Sequence, residues 1–152
     1  MPYKIPVSIL VVVYTRDLDV LLVERADASG CWQSVTGSQE PGETLAQTAT
    51  RELLEETGID AARFGGVVDW NVSSVFEIYP RWRHRYAPGI TQNTEHAFGL
   101  EVLAQVDVRL DLREHLRHLW LPRDDAAAKC FSWSNRDAIL LLPRRASPPT
   151  TG

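Results

Sequence analysis

Residues 37–59 read GSQEPGETLAQTATRELLEETGI, a glycine-containing loop that leads into one helix. Thr44 followed by Gln47 is a capping-box pattern, in which each side chain hydrogen-bonds the backbone N–H of the other residue. Gly58 is the residue type expected just past a helix C-terminus, where a left-handed backbone is common. We therefore predict a helix over Leu45–Thr57.

The last turns of this helix carry three glutamates. Taking about 100° per residue, Glu52, Glu55 and Glu56 fall within an arc of roughly 100° beside an apolar stripe. They repel one another and lie at the negative end of the helix dipole. A divalent cation removes both penalties, and oxygen ligands without His or Cys suit Mg²⁺ or Mn²⁺. The alternative is a solvated acidic helix face with no ligand.

The spacing of the whole stretch is more specific than the glutamates alone. After Gly37 come five residues and Glu43, then seven residues and Arg51-Glu52-Leu53, followed by Glu55-Glu56 and Gly58-Ile59. This pattern resembles the signature of the Nudix hydrolase family at every defined position. The resemblance implies an α/β chain with the Nudix fold, a mixed β-sheet sandwiched between α-helices.

The resemblance also implies roles for single residues. The positions at which the family binds Mg²⁺ and carries out catalysis correspond here to Glu52, Glu55 and Glu56. The backbone carbonyl at the position of Gly37 often completes the metal site. Glu43 and Arg51 match a structural pair that ties the loop to the helix, which agrees with the fork-shaped donor that an arginine offers to a carboxylate.

Length and composition indicate one domain. The chain has 152 residues, of which 44% are hydrophobic, so it has enough apolar material for one core and too little length for two ordinary domains. We predict a single Nudix domain over residues 1–146. The remaining residues, 147–152, contain Pro-Pro and small polar side chains and are expected to be disordered.

Charge and cysteine content disfavour several classes of partner. A net charge of −4 argues against a nucleic-acid polymer, which is bound chiefly by excess Lys and Arg. Cys31 and Cys130 match no metal spacing and fit a reduced, cytoplasmic protein. The sequence shows neither a membrane-spanning apolar run nor a signal peptide. We expect a cytoplasmic enzyme that acts on a small-molecule triphosphate, and the sequence leaves its oligomeric state open.

Apolar runs separated by turn residues predict the sheet. Residues 7–14 and 20–24 flank a turn-prone segment and predict a hairpin. Further strands are predicted at residues 32–35, 66–71, 73–79, 95–102 and 119–121. Helices are predicted at residues 124–129 and 135–142, the second with Ser134 as its N-cap.

Segments outside the signature resemble one branch of the family, the bacterial enzymes that hydrolyse dihydroneopterin triphosphate in folate synthesis. They include residues 6–12, 32–37, 76–78, 84–89, 93–95 and 132–136. By this resemblance the substrate phosphates lie near Lys4, Arg25 and Thr36. The heterocycle lies near Phe76, Glu77, Ile78, Tyr79 and Ser132.

Arginine and aromatic residues alternate over residues 81–86. An extended segment would place its arginines (Arg81, Arg83 and Arg85) on one side and its rings (Trp82, His84 and Tyr86) on the other. Guanidinium groups suit phosphate oxygens and aromatic faces suit a flat pterin or purine, so Arg83 and Arg85 are candidate substrate ligands. The alternative is a solvated loop with Trp82 packed against the core.

One more acidic metal ligand is predicted outside the helix. In the resembling enzymes, an acidic residue at the position of Glu114, within Arg-Glu-His at residues 113–115, reaches the metal. Glu95 is the rival, because residues 93–95 bring a carboxylate to the start of a strand. Either residue also fits a solvated surface glutamate.

The predicted reaction is a Mg²⁺-dependent conversion of dihydroneopterin triphosphate and water into the monophosphate and pyrophosphate. Metal ions would polarise the phosphoryl group and supply a bound hydroxide. A broader pyrophosphatase for nucleoside triphosphates or damaged nucleotides is the first alternative, because purine and pterin are similar flat rings. A non-catalytic Nudix-fold nucleotide-binding module is the second, although such modules usually lack some of the signature glutamates.

Overall fold

The structure of the protein is a computed structural model, and it describes residues 2–143. The tail predicted for residues 147–152 and the end of the predicted domain, residues 144–146, lie outside the described residues. Within residues 2–143, no helix combines the length and the apolar character needed to cross a membrane.

One mixed sheet of seven strands forms the middle of the fold. The strands are β1 (Val7–Thr15), β2 (Asp19–Arg25), β3 (Trp32–Gln33), β4 (Val35–Ser38), β5 (Val68–Glu77), β6 (Gln92–Val102) and β7 (His115–Pro122). Their order is β3-β2-β1-β6-β5, while β4 pairs with β1 and β7 pairs with β2. The β1–β6 pair is parallel and the others are antiparallel, which confirms the predicted mixed sheet.

Strand β1 is buried on both faces, which explains its unbroken apolar sequence. Because side chains alternate along a strand, Ile9 and Val11 belong to one core cluster and Leu10 and Val12 to another. The first cluster includes residues of helix α1 (Leu45–Thr57), and the second includes residues of α2 (Arg123–Lys129) and α3 (Trp133–Ile139). The sheet is therefore packed between helices, as predicted.

Helix α1 begins and ends where the sequence predicts. The Thr44 side chain accepts a hydrogen bond from the Gln47 backbone at 3.1 Å, and the Gln47 side chain accepts one from the Thr44 backbone at 2.9 Å. Gly58 follows the last turn with a left-handed φ of 75°, and its N–H bonds the Leu54 carbonyl. The predicted bounds and both caps are confirmed.

The predicted hairpin of β1 and β2 is confirmed, but other boundaries were wrong. The strand predicted at residues 32–35 is two short strands, β3 and β4, and the two predicted at 66–71 and 73–79 are one strand, β5. An irregularity between Asp69 and Val72 interrupts the pairing of β5 with β6, and Asn71 there has a φ of 56°. This local bend lies where the sequence predicted a break between two strands.

Helix α3 begins two residues earlier than predicted. Its N-cap is Ser132, whose hydroxyl accepts a hydrogen bond from the Asn135 N–H at 3.2 Å. Ser134, the predicted cap, is instead a buried residue in the first turn. Both serines suit a cap by residue type, so the choice between them depends on burial that the local sequence does not reveal.

The extended conformation predicted for residues 81–86 was wrong. Pro80–Arg85 forms a short 3-10 helix, with the proline in its first turn. Arginines and rings are therefore not separated onto two sides as an extended segment would separate them. The alternative, with Trp82 packed inward, describes this segment better, because Trp82 contacts Tyr79 and Phe131 edge-on.

Candidate active site

The loop before α1 is fixed to the helix through Glu43 and Arg51. The Arg51 Nε donates to Glu43 Oε2 at 2.7 Å and its Nη2 donates to Oε1 at 2.9 Å, a two-pronged, charge-assisted contact. The Thr48 hydroxyl also donates to Glu43 Oε1 at 2.9 Å. These bonds, led by Arg51, lower the pKa of Glu43 to about 2. The loop that carries Gly37 is thereby held against the helix that carries the glutamates.

Glu52 and Glu56 lie one turn apart on α1 and face the same cavity. Glu56 is only 7% exposed, and its Oε2 has no hydrogen-bond partner within the described residues. Burial, followed by the charge of Glu52, raises the pKa of Glu56 well above its usual value, and burial raises the pKa of Glu52. A buried carboxylate without a partner costs several kcal/mol, on the order of 3, unless it is protonated or bound to a cation.

Gly37 lies directly against Glu52. A Cβ added at Gly37 would overlap the Glu52 carboxylate, so a larger residue here would require the Glu52 side chain to move. The backbone of Gly37 and the carboxylate of Glu52 therefore border the same small space. This is the position at which the sequence predicted that a backbone carbonyl completes a metal site.

Glu55, the third predicted helix glutamate, lies outside the cavity. Its side chain is 59% exposed, and its Oε2 is 3.3 Å from the Arg51 Nη1, which also bonds Glu52 Oε1 at 2.8 Å. Across residues 2–143, no three His, Cys, Asp or Glu side chains are arranged closely enough to hold a metal ion. The helix therefore presents two carboxylates to the cavity, and Arg51 holds the third away from it.

These residues nevertheless fit a divalent cation. The unpartnered, buried Glu56 Oε2 and the neighbouring Glu52 carboxylate are hard oxygen donors, and Gly37 leaves room for the backbone beside them. Their raised pKa values show that the site carries a penalty for negative charge, which a cation offsets. The donor set suits Mg²⁺ or Mn²⁺ and does not suit zinc.

The structure separates the two candidates for a further acidic ligand. The charge of Glu114 contributes to the raised pKa of Glu56, so Glu114 lies within electrostatic range of the helix glutamates. Glu95 pairs in register with Ser8, and Ser8 points to the same side of β1 as Leu10, toward α3. Glu95 therefore faces α3, whereas the helix glutamates lie on the other face of the sheet.

Three cationic side chains border the cavity beside the glutamates. They are Lys4, Arg25 and Arg85. Burial, followed by the charges of Arg85 and Arg25, lowers the pKa of Lys4. Asp27 accepts from Arg25 at 2.7 and 2.8 Å and from Arg85 at 3.0 Å, and so holds the two guanidinium groups together. A polyanion that enters the cavity would meet these cations directly.

Thr36 and Arg83, which were also predicted to bind the substrate, form hydrogen bonds within the protein. The Thr36 hydroxyl lines the cavity but donates to the Ile9 carbonyl at 2.8 Å. Arg83 does not line the cavity, since its Nε donates to the Ile78 carbonyl at 3.1 Å and its Nη2 lies 3.6 Å from Glu77. Arg83 thus contacts nearby residues of its own chain segment, Glu77 and Ile78.

Three aromatic rings form one wall of the cavity, and we call Tyr79, Trp82 and Phe131 the aromatic wall. Their centroids lie 5.4 to 6.1 Å apart. The Arg25 guanidinium lies 4.2 Å from the Trp82 ring centroid, and that of Arg81 lies 4.4 Å from it. Such cation–π contacts fix the orientation of Trp82 and link the wall to the cationic side chains.

The cavity has a volume of about 570 Å³ and brings most of the predicted site residues together. Those that line it are Lys4, Arg25, Thr36, Gly37, Glu52, Glu56, Phe76, Glu77, Ile78, Tyr79, Arg85, Glu114 and Ser132. The sequence reasoning missed Phe131 as part of the wall, and it missed Ser8 and Asn93, which lie deep in the cavity. A serine in an otherwise apolar central strand was the available signal for Ser8.

Comparison with known proteins gives consistent results. A family model described as NUDIX domain matches residues 4–144. The chain is 48% identical over 139 residues to the dihydroneopterin triphosphate diphosphatase of Escherichia coli (strain K12), which covers 90% of this chain and 91% of that protein. It is 42% identical over 141 residues to the Haemophilus influenzae protein of the same name, with 91% and 88% covered.

Solved structures agree with the sequence relatives. The E. coli dihydroneopterin triphosphate pyrophosphohydrolase superposes with a TM-score of 0.88 at 46% identity, covering 93% of this chain and 97% of that one. A C. elegans Ap4A hydrolase superposes with a TM-score of 0.69 at 19% identity, covering 88% and 92%. The second likeness shows a shared fold alone.

Proposed function

This chain belongs to the Nudix family, and from that membership we propose that it hydrolyses dihydroneopterin triphosphate to dihydroneopterin monophosphate and pyrophosphate. The two relatives that carry this activity in their names match the chain over nine-tenths of its length. Hydrolysis of this substrate would place the enzyme in folate biosynthesis. We also propose a cytoplasmic location and a small-molecule substrate, with no nucleic-acid polymer as partner.

The observation that supports the proposal most strongly is that one cavity contains both a group of carboxylates and a group of cationic side chains. Glu52 and the buried Glu56, whose Oε2 has no hydrogen-bond partner among the described residues, line this cavity with the cationic groups of Lys4, Arg25 and Arg85. A triphosphate with a bound cation satisfies both sets at once, because its oxygens suit the guanidinium groups and its cation suits the carboxylates.

We assign the metal-binding role to Glu52, Glu56 and Glu114, with the Gly37 carbonyl. A bound Mg²⁺ would polarise the phosphoryl group and lower the pKa of water. Arg25 and Arg85, fixed by Asp27, orient the phosphate chain, and Glu52 or Glu56 accepts the proton of the attacking water. Glu55 joins this group only by leaving the Arg51 Nη1 that now holds it.

The aromatic wall supports a flat heterocycle as the other half of the substrate. Tyr79, Trp82 and Phe131 line the cavity with the apolar side chains of Phe76 and Ile78. Aromatic faces stack on pterin and purine rings alike. A purine triphosphate pyrophosphatase is therefore the second candidate, and the wall alone does not separate the two.

Steady-state kinetics on a substrate panel test the proposal. With Mg²⁺, we expect kcat/KM for dihydroneopterin triphosphate to exceed that for GTP and dATP by at least about tenfold, which corresponds to ~1.4 kcal/mol of transition-state binding. Chelation should abolish turnover and Mg²⁺ should restore it. A purine triphosphate as the better substrate would favour the second candidate.

The products give a separate test of the reaction. Pyrophosphate should appear in one step, and in heavy-oxygen water the label should enter pyrophosphate if water attacks the inner phosphorus of the departing pair. Orthophosphate as the first product would contradict a pyrophosphohydrolase. Label in the monophosphate would leave that reaction intact and move the attack to the α-phosphorus.

A further inference from the structure

The cavity has a polar floor on the α3 side of the sheet, formed by Ser8, Asn93, Glu95 and Ser134. All four residues line the cavity and all are buried, Asn93 to 2% exposure and Glu95 to 8%. Polar side chains this deeply buried normally have every hydrogen-bonding atom paired. The polar floor does not meet that rule.

Asn93 leaves one strong acceptor free. Its Nδ2 donates to the Ser8 Oγ at 2.7 Å, and its Oδ1 has no partner within the described residues. Leaving a buried carbonyl oxygen unpaired costs on the order of 1–3 kcal/mol. A ligand donor is a simple way for the folded protein to recover that cost.

Glu95 adds a carboxyl group beside this acceptor. When it is ionised, its two oxygens can accept several hydrogen bonds. Asn93 and Glu95 are two residues apart on β6 and point to the same side of the sheet, so their Cα atoms are spaced by roughly 7 Å. The polar floor therefore presents acceptors from both side chains to one region of the cavity.

The polar floor and the helix glutamates serve different parts of a ligand. The floor faces α3, whereas Glu52 and Glu56 lie with α1 on the other face of the sheet, and the cavity reaches both. Phe131 and Ser132, just before α3, line the same side as the floor. A ligand with its phosphates at the glutamates would place its ring between the aromatic wall and the floor.

We infer that Asn93 and Glu95 bind the 2-amino-4-oxo pyrimidine edge of the substrate ring and so select rings that carry it. That edge offers three N–H groups, one on N3 and two on the exocyclic amine. The Glu95 carboxylate accepts two of them side by side, and the Asn93 Oδ1 accepts the third. This inference rests on the proposed function, since it specifies how the same cavity recognises the pterin, and it extends to guanine, whose edge is equivalent.

Binding of a phosphate-free ring tests the inference without any hydrolysis. Neopterin carries the 2-amino-4-oxo edge, and its lumazine analogue replaces the 2-amino group with an oxygen. Fluorescence titration of both into the metal-free wild-type protein should show neopterin binding at least about tenfold more tightly, because a site built to accept these N–H groups disfavours a ring that lacks them. Equal affinities, or tighter binding of the lumazine, would overturn the inference.

The matched variants are Glu95→Gln and Glu101→Gln. Glu101 is an exposed residue of the same strand, so its replacement should change neither affinity. Glu95→Gln places an amide donor against the ring donors and should weaken neopterin binding at least about tenfold, and it should weaken lumazine binding less, because the lumazine keeps only N3–H of the three N–H groups. Unchanged neopterin binding, or an equal loss for both rings, would contradict a role in edge recognition.

Folding and hydrolysis are monitored separately. The thermal unfolding of Glu95→Gln should remain cooperative, and its affinity for tripolyphosphate should match that of the wild type, since the phosphates bind away from the polar floor. If the wild type binds neopterin through Glu95 but fails to hydrolyse dihydroneopterin triphosphate, the proposed function fails and the ring site stands. If the wild type hydrolyses the triphosphate and Glu95→Gln retains the ring preference, the inference about edge recognition fails and the proposed function stands.

Discussion

Glu56 shows how a single residue can favour function at the expense of stability. The apolar environment that raises its pKa also strengthens its attraction to a cation, because charges interact more strongly where water is excluded. The neighbouring Glu52 and Glu114 add repulsion that a bound cation would relieve. Under the proposed function, the same carboxylate destabilises the metal-free protein and binds the cation in the active enzyme.

Glu56→Gln should lower kcat by roughly a hundredfold or more, because it removes a charge that several kcal/mol of transition-state stabilisation depend on. Thermal unfolding in chelator should occur at a higher temperature than in the wild type, since the repulsion with Glu52 is lost. Glu101→Gln is the matched control, and its kcat should be unchanged because Glu101 is an exposed residue of β6. Equal losses for the two variants would show that the effect of Glu56→Gln is not specific to the metal site.

Glu114 and Glu95 should respond differently to magnesium. Glu114→Ala should raise the Mg²⁺ concentration that gives half-maximal rate at saturating substrate, because its charge acts on Glu56. Glu95→Ala should leave that concentration unchanged, because Glu95 faces α3. A shift with Glu95→Ala and none with Glu114→Ala would reverse the assignment.

For single residues, the sequence predicted which residues are present at the site better than it predicted where their side chains point. The spacing of the signature identified all three helix glutamates, and the helical arc placed them on one side. It did not reveal that Arg51 would bond Glu52 and Glu55 together, so that one of the two turns outward. A helical wheel locates Cβ atoms, whereas the position of a carboxylate depends on rotamers and partners.

Among the elements, α1 was the most predictable because its signals are local. The capping box and the terminal glycine satisfy backbone groups of the helix itself, and no tertiary contact is needed to recognise them. Residues 81–86 illustrate the opposite case. Their alternation suggested an extended segment, but Pro80 and the packing of Trp82 against Tyr79 and Phe131 favour a 3-10 turn.

Thr44→Ala should lower the free energy of unfolding by about 1 kcal/mol, because it removes the capping bond to the Gln47 N–H. Thr50→Ala is the matched control, since Thr50 is a half-buried threonine within the same helix whose hydroxyl donates only to the Ala46 carbonyl of that helix, and alanine there should be neutral or slightly stabilising. Urea denaturation of both variants measures the difference. A larger loss for Thr50→Ala would show that the cap contributes little.

The contribution of Glu95 to the stability of the whole molecule should fall as the pH rises from about 4.5 to about 7. Burial raises the pKa of Glu95 to about 7, so the folded protein keeps a proton that the unfolded chain releases above its usual pKa of 4.5. The contribution is fully present below pH 4.5 and is lost as the pH passes the folded value, a change on the order of 3 kcal/mol. Glu43 has the opposite sign, because its folded pKa of about 2 means that its contribution is lost only on acidification below its usual pKa.

The difference between the wild type and Glu95→Gln isolates this contribution. Urea unfolding at pH 5 and pH 7.5 in chelator should show a smaller decline for the variant, because glutamine carries no titrating proton. Other groups, including Glu56 and His115, titrate in both proteins and cancel in the comparison. An identical decline in both proteins would mean that Glu95 is ionised at its usual pKa.

The overall architecture was predictable because the signature is long and specific, but the cavity was not. Its polar floor joins β1 and β6 to α3, with the bond between Asn93 and Ser8 linking residues 85 positions apart. Each partner alone looks like an ordinary polar residue near a strand end. Only the parallel register of β1 and β6 brings them together, and no local pattern specifies that register.

The bent strand β5 has a consequence for how this protein behaves at high concentration. In the described part of the chain β5 pairs only with β6, so the ten residues of β5 leave one row of backbone groups open, with Val68 and Val75 exposed beside it. A long, flat edge of that kind invites a second copy to add on and start aggregation. The irregularity at Asn71 twists this edge, so the bend works as a safeguard of solubility.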